Sequence, residues 1–283
     1  MGVRSGMTHH RDLSPRSLER QERLVLEGLV GSVPEAERAV LGLTLADVAG
    51  GALLTLGHYP QVMDFNRTLS LGVERPATGA DLDELQAAGR AHGLTRLMVG
   101  VVPGAQPGDL RGRLLERGAQ PTRAWMQLWR EATPWNSPAP GLDLREVGPE
   151  ETGTFLDVMG RGFSMPPDLM AMGRGVLGRA GWTHYLAWDG GVPVASASLH
   201  LQGGYAWLGN ATTLPDWRRR GAQLALVARR VTDAARAGAH TVFTQVAEDL
   251  PDKPNPSEHN MRRAGFQVAY RRDHLLLPTG LGA

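Results

Sequence analysis

The pattern of strands and helices in this chain runs twice, and that repetition most restricts the folds open to it. Residues 65–73, 80–92, 94–102, 107–116 and 124–129 read as strand, helix, strand, helix and strand. Residues 205–213, 223–237, 241–246, 255–264 and 266–271 give the same order. Arg117-Gly118-Ala119 stands in the first series where Arg263-Ala264-Gly265-Phe266 stands in the second. Such an echo points to an internal duplication. Between the series, residues 131–141 carry Pro134, Pro138 and Pro140 and read as a linker. The expected division is therefore 1–135 and 136–283, which suits 283 residues at roughly 150 per domain.

The first part opens with helices over 15–42, broken by Pro34, with Ser32 as a candidate cap for the second. Strands are expected at 52–56 and 65–73, so this part begins with two helices and lacks a full meander. In the second part a strand at 142–147 precedes helices at 150–158 and 167–176. Strands at 182–188, 192–201 and 205–213 follow, turned by Asp189-Gly190-Gly191 and Gly203-Gly204. The chain closes with two strands, 266–271 and 274–277. This order gives an α+β fold: a mixed sheet flanked by helices.

Composition narrows the chemistry. There is no cysteine, so disulfides, thiolate metal sites and cysteine nucleophiles are excluded. The nine histidines show no metal-ligand spacing. A net charge of +1 argues against a bulk nucleic-acid binder. No segment reads as a signal or membrane span. Residues 1–13 lack an apolar core, and the uncharged run 192–215 holds Ser196, Ser198, His200 and Asn210. The cytoplasm is the expected location. Lys253 is the single lysine and the only Schiff-base candidate, in a Pro-rich loop.

One constellation carries a functional signal. A strand stops at Thr213-Leu214-Pro215, a turn follows with Arg218, Arg219 and Arg220, and Gly221 leads into Ala222, Gln223, Leu224 and a long helix. Unpaired N–H groups at a helix start, together with arginines, build a cradle for phosphate. A solvated basic turn is the plainer reading. Trp217 would pack near the turn or an adenine. Further on, Asn255-Pro256-Ser257-Glu258 reads as a helix start with a capping box. Ser257 and Asn260 share a face of that helix and could bind an amide or a thiol-bearing chain.

Over residues 142–278 these elements together resemble the GCN5-related N-acetyltransferase (GNAT) superfamily. Its signature is a Val-x-Pro strand end, an Arg/Gln-x-x-Gly-x-Gly/Ala turn, and a later Asn helix closed by Gly-Phe. Here those are Thr213–Pro215, Arg218–Gln223, and Asn255 to Gly265-Phe266. The resemblance implies an acyl-CoA, most often acetyl-CoA. Arg218, Arg219, Arg220 and the backbone from Gly221 to Leu224 would hold its pyrophosphate. The main chain at Ala211 and Thr213 would pair with its pantetheine, which requires that strand to splay from 241–246. Asn255, Ser257 and Asn260 would line the other side. The first half resembles a degenerate copy, because its matching turn, residues 74–80, lacks the arginine-glycine run.

Two departures bear on mechanism. Gln223 fills a position usually held by Gly or Ala, so its side chain must turn from the phosphates or serve them as a donor. Met261 stands where many members place a tyrosine acid, so Ser257, Tyr270 or water would protonate the leaving thiolate, unless no acid is needed. Glu248 is the first candidate for general base because it follows the strand that opens the cleft; Asp249 and His259 are alternatives. His184 and His200 lie on strands and read as structural. The expected activity is acetyl transfer to a primary amine on a small molecule or peptide, by a monomer or homodimer. A non-catalytic acyl-CoA or small-ligand sensor is the alternative.

Overall fold

The computed structural model describes residues 12–137 and 141–281. The residues before 12, and Pro138 and Pro140 of the linker, lie outside the described residues. Helix α1 (Pro15–Ser32) starts where the Ser14 side chain accepts the Ser17 N–H. Helix α2 (Glu35–Leu41) ends on Gly42 in the left-handed region. Ser32 does not cap α2: its hydroxyl donates to the Leu29 carbonyl, and Pro34 takes the cap position. The first half continues through β1 (Leu43–Val48), β2 (Gly51–Leu56) and β3 (Arg67–Leu69). Then come α3 (Gly79–Ala91), β4 (Arg96–Val101), α4 (Leu110–Glu116) and β5 (Gln120–Glu131).

Strand β1 corrects the expectation that this half lacks a meander, since β1, β2 and β3 pair antiparallel in sequence order. Its signal is hidden at both ends. It begins one residue after α2's cap. It turns through Ala49 and Gly50, both at positive φ, where alanine replaces the usual asparagine or aspartate.

The second half runs β6 (Leu142–Glu146), α5 (Thr152–Phe163), α6 (Met170–Val176), β7 (Trp182–Asp189), β8 (Val192–Gln202) and β9 (Tyr205–Thr213). It closes with α7 (Ala222–Arg236), β10 (Thr241–Ala247), α8 (Pro256–Arg263) and β11 (Gln267–Pro278). The two strands expected at the end are one strand, bent by irregularities near Val268–Tyr270 and Arg272–His274. Both halves therefore give an antiparallel meander, a helix, a parallel strand, a helix and a long strand.

The eleven strands form one mixed sheet, ordered β1-β2-β3-β4-β11-β5-β10-β9-β8-β7-β6. The closing strands change places. β11 pairs with β4 of the first half, and β5 pairs with β10 of the second. β5 and β11 also pair with each other at the centre.

Helix α1 packs against α6 and the sheet. Leu18, Val25 and Leu29 form its buried stripe, and Glu22 sits on that same stripe. Arg67 donates to Glu22 at 2.7 Å, Arg272 donates to both Glu22 oxygens and to Glu19, and Tyr270 donates to Glu19 at 2.9 Å. Gln245 on β10 adds a bond to Glu22 at 3.2 Å. All four charged side chains are buried. Burial alone would push the Glu22 carboxyl up, but Arg272 and Arg67 outweigh it and hold the value at about 2. His274 lies beside this cluster, edge-on to Trp125, with Nδ1 sealed and without a partner. Burial, reinforced by Arg272 and Arg67, takes its pKa down to about 3.

Removing one partner of a buried pair strands the other charge, so Glu22→Gln should cost about 3–5 kcal/mol in denaturant unfolding. Acid should also weaken the fold in two steps. The unfolded chain protonates His274 near its ordinary ~6.5 while the folded chain resists to about 3, so stability falls as pH drops below ~6.5, by at most ~1.4 kcal/mol per unit. His184 and His200, also lowered by burial, add the same sign. Glu22 joins below ~4.3, where the unfolded carboxylate protonates first. Thermal melts of His274→Leu between pH 7 and 4 should show a shallower slope than wild type.

Candidate functional site

Strands β9 and β10 pair in parallel only at Tyr205–Thr241, Ala206–Val242 and Trp207–Phe243. Beyond that the strands part, and the Thr244 hydroxyl donates to the Leu208 carbonyl at 2.7 Å where they begin to diverge. A cleft of about 400 Å³ fills the opening. Gly209, Asn210 and Ala211 line one side, Gln245 to Ala247 the other. Gly209 leaves room for the Trp207 ring, which would collide with any Cβ there.

The β9 side is bent by an extra residue. Ser196 and Ser198 of β8 pair with Thr212 and Gly209, so two steps on β8 match three on β9. Asn210 supplies the bulge, in the left-handed region at φ 48°. Arg230, from α7, fastens the strand from behind. It is fully buried and donates to the carbonyls of Leu226, Ser198 and Gly209. Burial without a carboxylate partner lowers its pKa to about 10.

Helix α7 starts beside this opening. Gly221, at φ 87°, holds the N-cap position and offers no side chain to the helix, and the first turn has no acidic residue. The first N–H groups of an α-helix have no acceptor within it. Arg219 is also left-handed at φ 64°, and Arg218, Arg219 and Arg220 are all exposed. Arg220 stacks on Trp217 at 4.6 Å, so this tryptophan packs within the turn. Arg218 donates to the Thr213 carbonyl at 3.3 Å.

Gln223 turns to α8. It donates to the Ser257 hydroxyl at 2.9 Å and accepts from Asn260 at 2.7 Å. Gln223, Asn255, Ser257 and Met261 line the cleft, whereas Asn260 supports Gln223 from outside it. Asn255 caps α8 by accepting the Ser257 N–H and donates to the Ala247 carbonyl. The expected capping box does not close. Glu258 accepts the Asp249 N–H at 2.6 Å and pairs with Arg262, while the Asn255 N–H goes to Asp249.

Four expected acid–base residues lie elsewhere. Glu248 is outside the cleft lining, its carboxylate held by Arg271 through bonds of 2.9 and 3.0 Å. Asp249 and His259 are exposed, and Asp249 is spent on the loop before α8. Tyr270 is buried against Glu19, and burial drives its hydroxyl pKa far up, so it neither reaches the cleft nor titrates near neutrality. Of the proposed acids, Ser257 alone lines the cleft. His184 and His200 are buried among Trp182, Phe155 and Ser198, as structural residues.

The first half supplies a wall of the cleft, through residues that the sequence did not single out. Glu22, Val25, Leu26 and Leu29 of α1, with Asp64, Phe65 and Arg67, face the β9–β10 opening. Asp64 keeps much of its surface accessible, yet it stands in a concavity that removes water and raises its carboxyl pKa against the pull of Arg67.

This splayed pair of strands beside an open helix start decides among known folds. The chain has the GCN5-related N-acetyltransferase fold. A GCN5-related N-acetyltransferase from Kribbella flavida superposes with a TM-score of 0.63 at 21% identity, over 92% of this chain and 95% of that one. One from Sphaerobacter thermophilus gives 0.57 at 20%, over 72% and 67%. A tandem GNAT protein from the clavulanic acid biosynthesis pathway gives 0.57 at 18%, over 77% and 76%. No protein-family model and no curated protein matches the sequence. At these identities the likeness concerns the GNAT fold. Among the described residues no helix is long and apolar enough to cross a membrane, and no group of His, Asp and Glu is arranged to hold a metal.

The bulge gives a direct test. Asn210→Val forces a β-branched residue into the left-handed region and should cost about 1–2 kcal/mol, read as a lower urea midpoint. Asn210→Gly, which suits the same backbone, should stay near wild type.

Proposed function

We propose that this chain is an acetyl-CoA-dependent N-acetyltransferase acting on a primary amine, with its donor site in the second half. The observation that carries the reading is the contrast between two helix starts. At α7, Gly221 leaves the first-turn donors to an outside anion, with Arg218, Arg219 and Arg220 alongside. At α3, the equivalent helix of the first half, Thr78 and Asp81 close a capping box. Asp81 also takes both nitrogens of Arg75, at 2.8 and 2.5 Å. One helix start is open to a pyrophosphate, and the other is already filled by a carboxylate.

The rest of the cleft fits the same donor. The free inner edges of β9 and β10 offer backbone partners to an extended pantetheine near Ala211 and Thr213. Asn255 and Ser257 bound the cleft from α8, held through Gln223 and Asn260. When bound, acetyl-CoA supplies an acetyl group as a thioester, open to attack by a neutral amine. The bulged backbone at Asn210 and Ala211 would steady charge on the carbonyl oxygen. Ser257 accepts from Gln223 and keeps its own hydroxyl proton to donate toward the departing sulfur. Met261 is apolar and excludes water there. The division at 135/136, with the first half walling the acceptor side, belongs to the same proposal, as does a cytoplasmic location.

Titration calorimetry tests the donor site. Gly221→Val places a branched side chain at φ 87°, a strain of about 1–3 kcal/mol, and should weaken CoA binding at least tenfold. Unchanged affinity in the folded variant would remove the α7 cradle from the reading. Native mass spectrometry should find one CoA per chain. Glu248→Gln, outside the cleft, should leave kcat/KM for an amine within about twofold of wild type; CoA binding with no amine-stimulated thiol release would instead favour a sensor.

A further inference from the structure

The cleft continues past the β9–β10 opening into a chamber between α1, α5 and α6. Its wall is apolar: Leu26 and Leu29 from α1, Met159 and Phe163 from α5, Leu169 and Met172 from the α6 segment. Phe163 stands at the rim with 45% of its surface exposed. Unbranched methionines let such a wall adapt to varied shapes. A volume of about 400 Å³ is that of a small-molecule site.

Charge in the cleft is sharply divided between sealed and open groups. Arg67 and Arg230 line it, but their unpartnered nitrogens, Nη1 and Nη2, are closed to solvent. Glu22 is consumed by Arg67, Arg272 and Gln245. Asp64 differs. Its carboxylate has no hydrogen-bond or ion-pair partner among those of the described residues, and it is accessible. The turn that carries it is rigidly held. Arg67 donates to the Asp64 carbonyl at 2.9 Å. Asn66 ties the loop down through the Leu56 N–H and the Tyr59 and Val62 carbonyls.

We propose that the acceptor is a primary amine on an apolar body, its ammonium met by Asp64 and its body lying between α1, α5 and α6. The inference rests on the acyl-transfer reading and gives it a substrate class. A free carboxylate on the acceptor finds no accessible cation in the chamber and is repelled by Asp64. During transfer the ammonium gives its proton to the Asp64 carboxylate. The nitrogen lone pair then forms the N–C bond as the C–S bond breaks; the sulfur leaves with the bonding pair and takes up, by way of the Ser257 hydroxyl, the second proton that the acylated nitrogen sheds, which gives a neutral amide and a thiol.

Three probes of one shape separate these features: phenethylamine, hydrocinnamate and phenylalanine. Each is titrated into the full chain with and without desulfo-CoA. Phenethylamine should bind at least tenfold more tightly than the other two, and Asp64→Asn should weaken it at least tenfold while CoA affinity holds. Phe163→Ser, at an exposed site of the wall, should weaken phenethylamine several-fold. The proposal is overturned if hydrocinnamate or phenylalanine binds as well, if Asp64→Asn changes nothing, or if phenethylamine fails to bind under both conditions. It is also overturned if longer acyl-CoAs speed thiol release while the length of the amine has no effect, because the apolar wall then serves the donor. Loss of CoA binding with phenethylamine binding intact would tell against acyl transfer and leave the amine site standing.

Discussion

Two buried glutamates on one helix, Glu19 and Glu22, hold the molecule together, because Glu22 is answered by two arginines from distant parts of the sheet and Glu19 by one of the same pair. Arg67 comes from β3 and Arg272 from β11, more than two hundred residues apart in sequence. Desolvating four charges is costly, and good geometry recovers that cost only with full hydrogen bonding. Such a cluster is demanding about position. It admits one placement of α1 over the sheet and one register for β11, and so defines one wall of the cleft. Gln245 extends the network to β10, where it also accepts from Trp207 at 2.9 Å, linking the cluster to the floor of the opening.

The cleft follows from a conflict between pairing and bending. Parallel strands gain from continued hydrogen bonding, yet β9 cannot follow β10 beyond Trp207. The bulge at Asn210 turns it away, and Arg230 pins the turned segment to α7. What β9 loses in ladder bonds becomes an edge that an extended ligand could complete. Gln223, in the first turn of α7, lines the same opening, so the strand edge and the helix start border one cleft.

Much of this was legible in the sequence. The span of β9 and the Gly190-Gly191 turn were readable because glycine pairs and strand-period apolar residues mark them plainly. The start of α7 after Gly221 and the capping of α8 by Asn255 were readable from their spacing. Glu22 and Arg230 each sit within an otherwise apolar helical stripe, and nothing local in the chain names the distant partners that bury them. Asp64 carried no signal at all: it lies in a loop of the half that lacks the cradle, and only tertiary packing brings it to the cleft. Glu248 misled for the same reason, since chain position after a strand does not fix which way a carboxylate turns when Arg271 is close by.

The exchange of closing strands makes the two halves hostage to one another. A fragment ending after β5 would expose β4 along the edge that β11 normally covers, and would carry β5 with no β10 to receive it. The complementary fragment has the mirror-image deficit. Each piece is a template for the other, so a chain cut within the linker is suited to reassemble from its parts. An uncut chain caught during synthesis could just as well find its missing strand on a neighbouring copy.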